Sequence, residues 1–169
     1  MFEYFTEAHE LFVYRLGIAR GTSRRAIVTL GTLEHHAQRR AVNALMRDLQ
    51  EEARLHAAVL EDIFADLERN VSVPAGHTAD GLNHEANVVL RKTDKSLLDL
   101  AVLPLSLEIV YGSVAVYEPL AVYARVWLEA SIAERLEKIL VELLSARNRI
   151  LGLLGEVFES SETVQATPD

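Results

Sequence analysis

The chain has 169 residues, the length of one ordinary domain. Half of its residues are apolar and a quarter are charged, so it can bury a core and is not a disordered chain. Its 25 acidic and 17 basic residues give a formal net charge of −8, which argues against nucleic acid or an anionic membrane as partner, since both bind basic surfaces. The absence of cysteine excludes disulfides, cysteine-ligated metal centres and thiol nucleophiles.

Apolar residues recur at helical spacing along the first 70 residues. Steps of three and four from Phe5 to Leu33 predict one long helix over roughly 3–36. Glycine inside a helix costs about 1 kcal/mol relative to alanine, so Gly21 marks where this helix would break. A second series, from Met46 to Leu67, predicts a helix over about 40–70. The turn between the two is expected near residues 36–39.

The second half of the chain begins with the clearest loop signal. Residues 71–83 contain Pro74, Gly76 and Gly81 and predict a loop, followed by a short connecting helix over 84–92. A third long helix is predicted to open at Asp94 or Ser96, where residues 96–99 resemble a capping box, and to end near residue 128. A second capping-box pattern at 131–134 predicts a last helix that ends near residue 157. We predict a single domain over 1–157 and a flexible tail over 158–169.

Four helices of roughly 25 to 34 residues predict an all-α, antiparallel four-helix bundle with a long connection between the second and third helices. The third helix is unusually apolar: between residues 100 and 128 its charged residues are Glu108, Glu118 and Arg125. We interpret it as the buried centre of the bundle or a dimer interface, because two prolines and two glutamates disfavour a membrane span. A membrane-attached bundle is the alternative, since about 20 apolar residues suffice to span a bilayer.

Long four-helix bundles often hold a di-iron or di-manganese centre built from inward glutamates and Glu-x-x-His pairs. Glu52 and His56 lie four residues apart on one face of the second helix and could both reach one metal ion. The alternative is a half-buried histidine that is hydrogen-bonded within its own helix.

The other three helices supply few of the additional ligands that such a metal centre needs. Glu108 and Glu118 have apolar neighbours but lie about 80° apart around their helix, so they do not serve one site together. We expect an ion pair instead, with Arg147 on the last helix as partner, because an unpaired buried carboxylate is costly. The last helix offers Glu142 but no histidine, and the glutamates of the first helix lie off its apolar face. Phosphate-binding loops, dinucleotide fingerprints and nucleophile elbows are absent from the sequence.

Two short phrases suggest a family. The sequence Leu-Phe-Val-Tyr-Arg-Leu at 11–16 and the sequence Leu-Glu-Asp-Ile-Phe-Ala-Asp-Leu at 60–67 resemble the YciE/YciF-type ferritin-like proteins. His56, Asp99, Tyr117 and Ala124 stand at spacings similar to those of the family, and the resemblance covers about residues 8–155.

The resemblance also implies where the metal ligands of the family would fall. The glutamate of the first helix falls on Ser23, the histidine of the second on Leu49, the glutamate of the third on Ser113 and that of the last on Leu143. These residues supply no carboxylate or imidazole, so the resemblance implies a scaffold that has lost its centre. A register shifted by one helical turn would return Glu108 or Glu142 as ligands.

We therefore predict a ferritin-like bundle without catalytic, cofactor-binding or metal-binding residues, which acts through association in a stress-related setting. Its expected partners are a second copy or a related metal-bearing bundle, with no nucleic acid and no membrane. The alternative is a di-iron or di-manganese oxidase or peroxide-consuming protein with Glu52, His56, Glu108 and Glu142 as ligands. A cytoplasmic location is expected, because glutamates interrupt the apolar residues of the amino-terminal segment where a signal peptide needs a continuous apolar run.

Overall fold

The computed structural model describes residues 4–68, 76–127 and 130–165, and these residues form helices and the short turns between them. In chain order the helices are α1 (Ala8–His36), α2 (Arg40–Asp66), α3 (His77–Lys92), α4 (Leu98–Trp127) and α5 (Ala130–Gln165), with a single 3-10 turn at Lys95–Leu97 before α4. The described part of the chain contains no β-strand. The all-helical prediction is therefore confirmed.

Several boundaries differ from those that the sequence predicts. Helix α1 passes through Gly21 without a break, because tertiary packing of its apolar face outweighs the propensity cost. The connecting helix α3 begins at His77, inside the predicted loop, of which residues 71–75 lie outside the described ones. Helix α5 is already helical at Ala130 and continues to Gln165, past residue 157. Residues 166–169 of the predicted tail lie outside the described part, and the domain division stays a prediction.

The turn between α1 and α2 falls where it was expected, and a residue of α4 holds it. Asp99 is buried, with 6% of its surface exposed, and its two carboxylate oxygens accept the backbone amides of Gln38 at 2.8 Å and Arg39 at 3.1 Å. It thereby fixes the turn that leads into α2. The capping box of Ser96 and Asp99 does not form. Ser96 is bonded instead to Asp94, the other predicted start, which caps the 3-10 turn before α4.

Polar contacts between the long helices show their relative directions. Arg20 of α1 pairs with Glu61 of α2, while Arg47, earlier in α2, pairs with Glu34, later in α1, so the two helices run antiparallel. The same reasoning makes α2 antiparallel to α5, because Asp66 pairs with Arg135 and the earlier Glu52 with the later Arg149. Helix α4 packs against both α1 and α5, and α3 packs on the outside against α1 and α4.

The core lies between the four long helices. On α1 and α2 the buried residues follow the predicted spacing from Phe12 to Leu33 and from Met46 to Ile63, whereas Phe5 and His9 are exposed. On α5 the predicted face is rotated slightly from the observed one. Its inward residues are Ile132, Leu136, Ile139, Leu143, Ala146, Ile150 and Val157. Ala133 is buried on the same helix. Helical spacing from Leu136 to Leu154 predicts that Leu140, Arg147 and Leu154 also face inward, but these three are only half-buried.

Helix α4 is the most apolar helix of the described chain. Together with the 3-10 turn, over Lys95–Val126, it is long and apolar enough to cross a membrane. Its most apolar window of 18 residues has a mean hydropathy of 1.7, and half of that window is buried inside the protein. Pro104 and Pro119 both lie within α4. Its buried face, with Leu103, Leu120 and Tyr117 fully enclosed, forms much of the central core.

Candidate functional site at the centre of the long helices

A small cavity of about 20 Å³ lies where the four long helices face one another. Its lining includes all four positions at which the resemblance places metal ligands, namely Ser23, Leu49, Ser113 and Leu143. Residues that are remote in sequence therefore come together at one point in the fold. The volume is enough for about one water molecule and leaves no room for an organic substrate.

A buried hydroxyl pair lies beside this cavity. Ser23 Oγ of α1 is 2.8 Å from the phenolic oxygen of Tyr117 of α4, which is fully buried. Burial raises the pKa of Tyr117 well above its ordinary value, so the phenol is neutral at physiological pH. The Ser113 hydroxyl donates to the Ile109 carbonyl of its own helix at 3.0 Å. Both serines therefore have hydrogen-bond partners within the protein.

His56 links α2 to α5 at the same level. Its Nε2 atom is 2.9 Å from Glu142 Oε2, and the imidazole is almost completely buried while the carboxylate is partly exposed. The ring also faces Tyr117 edge-on, with the ring centres 6.3 Å apart. The interpretation of His56 as bonded within its own helix is wrong, because its partner belongs to a different helix.

Glu52, the carboxylate predicted to share a metal ion with His56, is held by an arginine. Arg149 Nη2 of α5 lies 2.7 Å from both carboxylate oxygens of Glu52. Glu52 lines the central cavity, so Arg149 neutralises the charge that would otherwise face an apolar centre. Glu52 is thus paired with an arginine, and Glu142 is hydrogen-bonded to a histidine.

Glu108 and Glu118 are not where the sequence placed them. Both are exposed on the outer side of α4, and neither is paired with Arg147, whose guanidinium bonds to Asn148 instead. Partial burial and the nearby Glu85 of α3 raise the pKa of Glu108. The expectation of an ion pair with Arg147 is wrong. The four candidate ligands Glu52, His56, Glu108 and Glu142 therefore do not converge, because Glu108 faces away from the other three.

The donor set at the centre does not fit a di-iron or di-manganese site. Such sites require an inward glutamate from each of two helices and a Glu-x-x-His pair from each of the other two. The four inward positions offer two leucines and two hydroxyls that already have partners. In the part of the chain that the structure describes, no three histidine, aspartate or glutamate side chains are grouped closely enough to hold a metal ion.

In its described residues the protein is all-helical, and its long helices enclose a small polar cluster. Residues 7–162 match the family described as a domain of unknown function, DUF892, and the chain belongs to this family. No curated protein matches the sequence.

Two solved structures share the fold. The E. coli stress protein YciF superposes with a TM-score of 0.86 at 16% identity, covering 92% of this chain and 99% of its own. YcfI from Rhodopseudomonas palustris, described provisionally as a structural protein, superposes with a TM-score of 0.80 at 20% identity, covering 87% of this chain and 97% of its own. At these identities the likeness shows the fold.

Two members of the central cluster were not singled out from the sequence as site residues. Tyr117 follows Ser113 by four residues, so both occupy one helix face, and this spacing could have placed the phenol at the centre. Arg149 gives no such signal, because its pairing with Glu52 depends on how α5 is aligned with α2.

Proposed function

We propose that this protein is a ferritin-like, antiparallel four-helix bundle that acts through association and carries out no chemistry of its own. The antiparallel pairings of α1 with α2 and of α2 with α5 support this architecture. Helix α3 lies in the connection between the second and third long helices, where a bundle of this kind has its long crossover.

The observation that carries the proposal is the central cavity. Four positions that the family resemblance assigns to metal ligands line it together, yet they hold Ser23, Leu49, Ser113 and Leu143. We interpret these four residues as replacements for the ligands of a metal centre whose backbone geometry is kept. The cavity of about 20 Å³ has no space for a substrate, and its polar side chains, including Glu52 and His56, already have partners within the protein.

Metal content tests this proposal directly. We would express the protein in cells supplied with iron and manganese and measure the metal bound per chain by plasma mass spectrometry. The proposal expects far less than one ion per chain. A content of about two per chain would overturn it in favour of an oxidase or peroxide-consuming protein. If metal is found, Glu52→Ala and His56→Ala decide whether those residues bind it.

An apolar face on α4 and α5 supports association. Leu144, Leu151 and Phe158 recur at seven-residue steps along α5, and 40%, 44% and 54% of their surfaces are exposed. Leu151 and Phe158 line an open groove of about 620 Å³ together with Leu100 and Pro104 of α4. Apolar surface of this extent on two neighbouring helices is typical of a protein–protein interface. We propose that it binds a second copy of the chain.

Light scattering after size-exclusion chromatography tests this face. Phe158→Glu is expected to convert a dimer to a monomer, because it places a charge in the apolar groove. Leu55→Glu is the matched control, since Leu55 of α2 is equally exposed, at 57%, but lies outside the groove. Dissociation by the control alone, or a wild-type monomer at high concentration, would contradict the assignment of the interface.

We further propose a cytoplasmic location and a stress-related setting. The second is supported by the likeness to YciF, which is described as a stress protein. Fractionation without detergent tests the first, because a membrane-attached bundle using α4 would sediment with the membranes. Protein levels before and after oxidative or osmotic stress test the second, and unchanged levels under both would argue against it.

A further inference from the structure

A second, larger cavity lies on the outer side of the long helices. It has a volume of about 250 Å³ and is enclosed by α1, α3 and α4. Its lining is mostly aliphatic, with Ile18 of α1, Leu82 of α3 and Val116 of α4 among the larger side chains. An apolar cavity of about 150 Å³ in an engineered lysozyme takes up benzene, so this one has room for a larger molecule.

The Thr22 hydroxyl is accessible from this cavity and has no partner among the described residues. Thr22 is 8% exposed and lines the cavity, and its hydroxyl makes no hydrogen bond with any residue that the structure describes. Thr29, which lines the same cavity, is different: its Oγ1 atom lies 3.0 Å from both the Arg25 carbonyl and Asn83 Oδ1. A hydroxyl that faces a cavity without a partner in the protein can donate a hydrogen bond to a ligand acceptor.

Of the two arginines that line the cavity, one has a carboxylate partner and the other has none within the described part of the chain. Arg25 is paired with Asp80 of α3, so its charge is largely neutralised. Arg15 lines the cavity without an ion pair or hydrogen bond to any side chain within residues 4–68, 76–126 or 130–160. In a chain of net charge −8, an arginine that is free of carboxylates at the wall of an apolar cavity favours an anion.

We propose that this cavity binds a small amphipathic carboxylate, with its apolar body against the aliphatic lining, its carboxylate at Arg15 and a hydrogen bond from Thr22. The guanidinium is the natural partner of a carboxylate because it donates two parallel hydrogen bonds. This binding is independent of the metal content and of the association face, since the cavity shares no lining residue with the groove of α4 and α5.

Isothermal titration calorimetry with octanoate tests the proposal, with 1-octanol as the neutral molecule of the same chain length. Octanoate has about ten non-hydrogen atoms, for which a Kd of about 10⁻⁵ to 10⁻³ M is expected. Octanol is expected to bind more weakly, because it has the apolar body but no charge for Arg15.

Three variants locate the site. Arg15→Gln is expected to weaken octanoate binding about tenfold or more and to leave octanol binding unchanged, since it removes a charged hydrogen bond. Thr22→Val is expected to weaken octanoate binding by a smaller factor. Ala115→Phe, at an exposed position of the lining, is expected to block both probes by filling the space. Arg24→Gln is the control: Arg24 is an exposed arginine of α1 that pairs with Glu61 outside the cavity.

The variants are first compared by circular dichroism and urea unfolding, so that loss of binding is not confused with loss of fold. Three results would overturn the proposal. These are the absence of octanoate binding at 10 mM, octanoate binding that is no tighter than that of octanol, and octanoate binding that is unchanged by both Arg15→Gln and Ala115→Phe. Equal weakening by Arg24→Gln would also overturn it, because only the general charge of α1 would then matter.

Discussion

Thr22 and Ser23 are neighbours on α1, yet each faces a different cavity with opposite properties. Ser23 lines the central cavity of about 20 Å³, where its hydroxyl is bonded to Tyr117. Thr22 lines the outer cavity of about 250 Å³, where its hydroxyl has no partner among the described residues. Polar groups that satisfy one another stabilise the fold, whereas polar groups left unsatisfied around an open volume indicate a ligand. The first cavity is therefore structural, and the second is a candidate binding site.

The largest expected contrast between the two cavities comes from truncating adjacent residues of α4. Tyr117→Ala removes a fully buried aromatic side chain from the central cluster and is expected to lower the free energy of unfolding by about 3–5 kcal/mol. Val116→Ala, in the lining of the outer cavity, is expected to cost about 1 kcal/mol, because its side chain is already half-exposed. Urea denaturation measures both, and similar losses would contradict the distinction.

The bond between His56 and Glu142 gives the next largest effect. Glu142→Ala leaves the buried imidazole without its partner and is expected to cost about 1–3 kcal/mol. Glu134→Ala, on the same helix at an exposed position, is the control. If the bond is structural, His56→Leu combined with Glu142→Leu recovers most of the loss, because no buried polar group is then left unpaired. A double variant less stable than either single one would show that the pair does more than hold α2 to α5.

Thr22 and Ser23 themselves provide a finer comparison. Ser23→Ala removes the partner of the buried Tyr117 hydroxyl and is expected to cost about 1 kcal/mol. Thr22→Val removes a hydroxyl without a partner and keeps the shape of the side chain, so stability should stay the same or rise slightly. Both are measured by urea denaturation of the ligand-free protein. A larger loss for Thr22→Val would mean that its hydroxyl is satisfied in solution, and the outer cavity would lose one of its two polar anchors.

How much of this could be predicted from the sequence depends on how clearly each helix marks its inner face. Helix α2 alternates apolar and charged residues, so its periodicity identified the buried face from Met46 to Ile63, including His56. Helix α4 is apolar on nearly all sides, and periodicity could not determine which way Glu108 and Glu118 point. Both were expected inside and are exposed, because a uniformly apolar helix leaves its rotation to packing.

Contacts between helices were the least predictable part of the candidate site. The positions of Ser23, Leu49, Ser113 and Leu143 followed from family resemblance and helical spacing, and the structure places all four at one cavity. The partners of His56 and Asp99 did not follow, since one lies on α5 and the other in the turn between α1 and α2. Such pairings depend on the alignment of packed helices to within one residue, which local patterns do not encode.

The smallest expected effect concerns the edge between α3 and α4, near the outer cavity. Partial burial and Glu85 raise the pKa of Glu108 in the folded protein, so folding favours its protonated form. The stabilisation by protonated Glu108 is fully present below the pKa of this side chain in the unfolded chain. It is lost as the pH rises through the raised pKa of the folded protein, above which ionised Glu108 destabilises the fold. Glu108→Gln should therefore be more stable than wild type at pH 7, by a few tenths of a kcal/mol because solvent screens an exposed group, and equally stable at pH 3. Glu118→Gln, also exposed on α4, is the control, and a difference that persists at pH 3 would assign the effect to packing rather than charge.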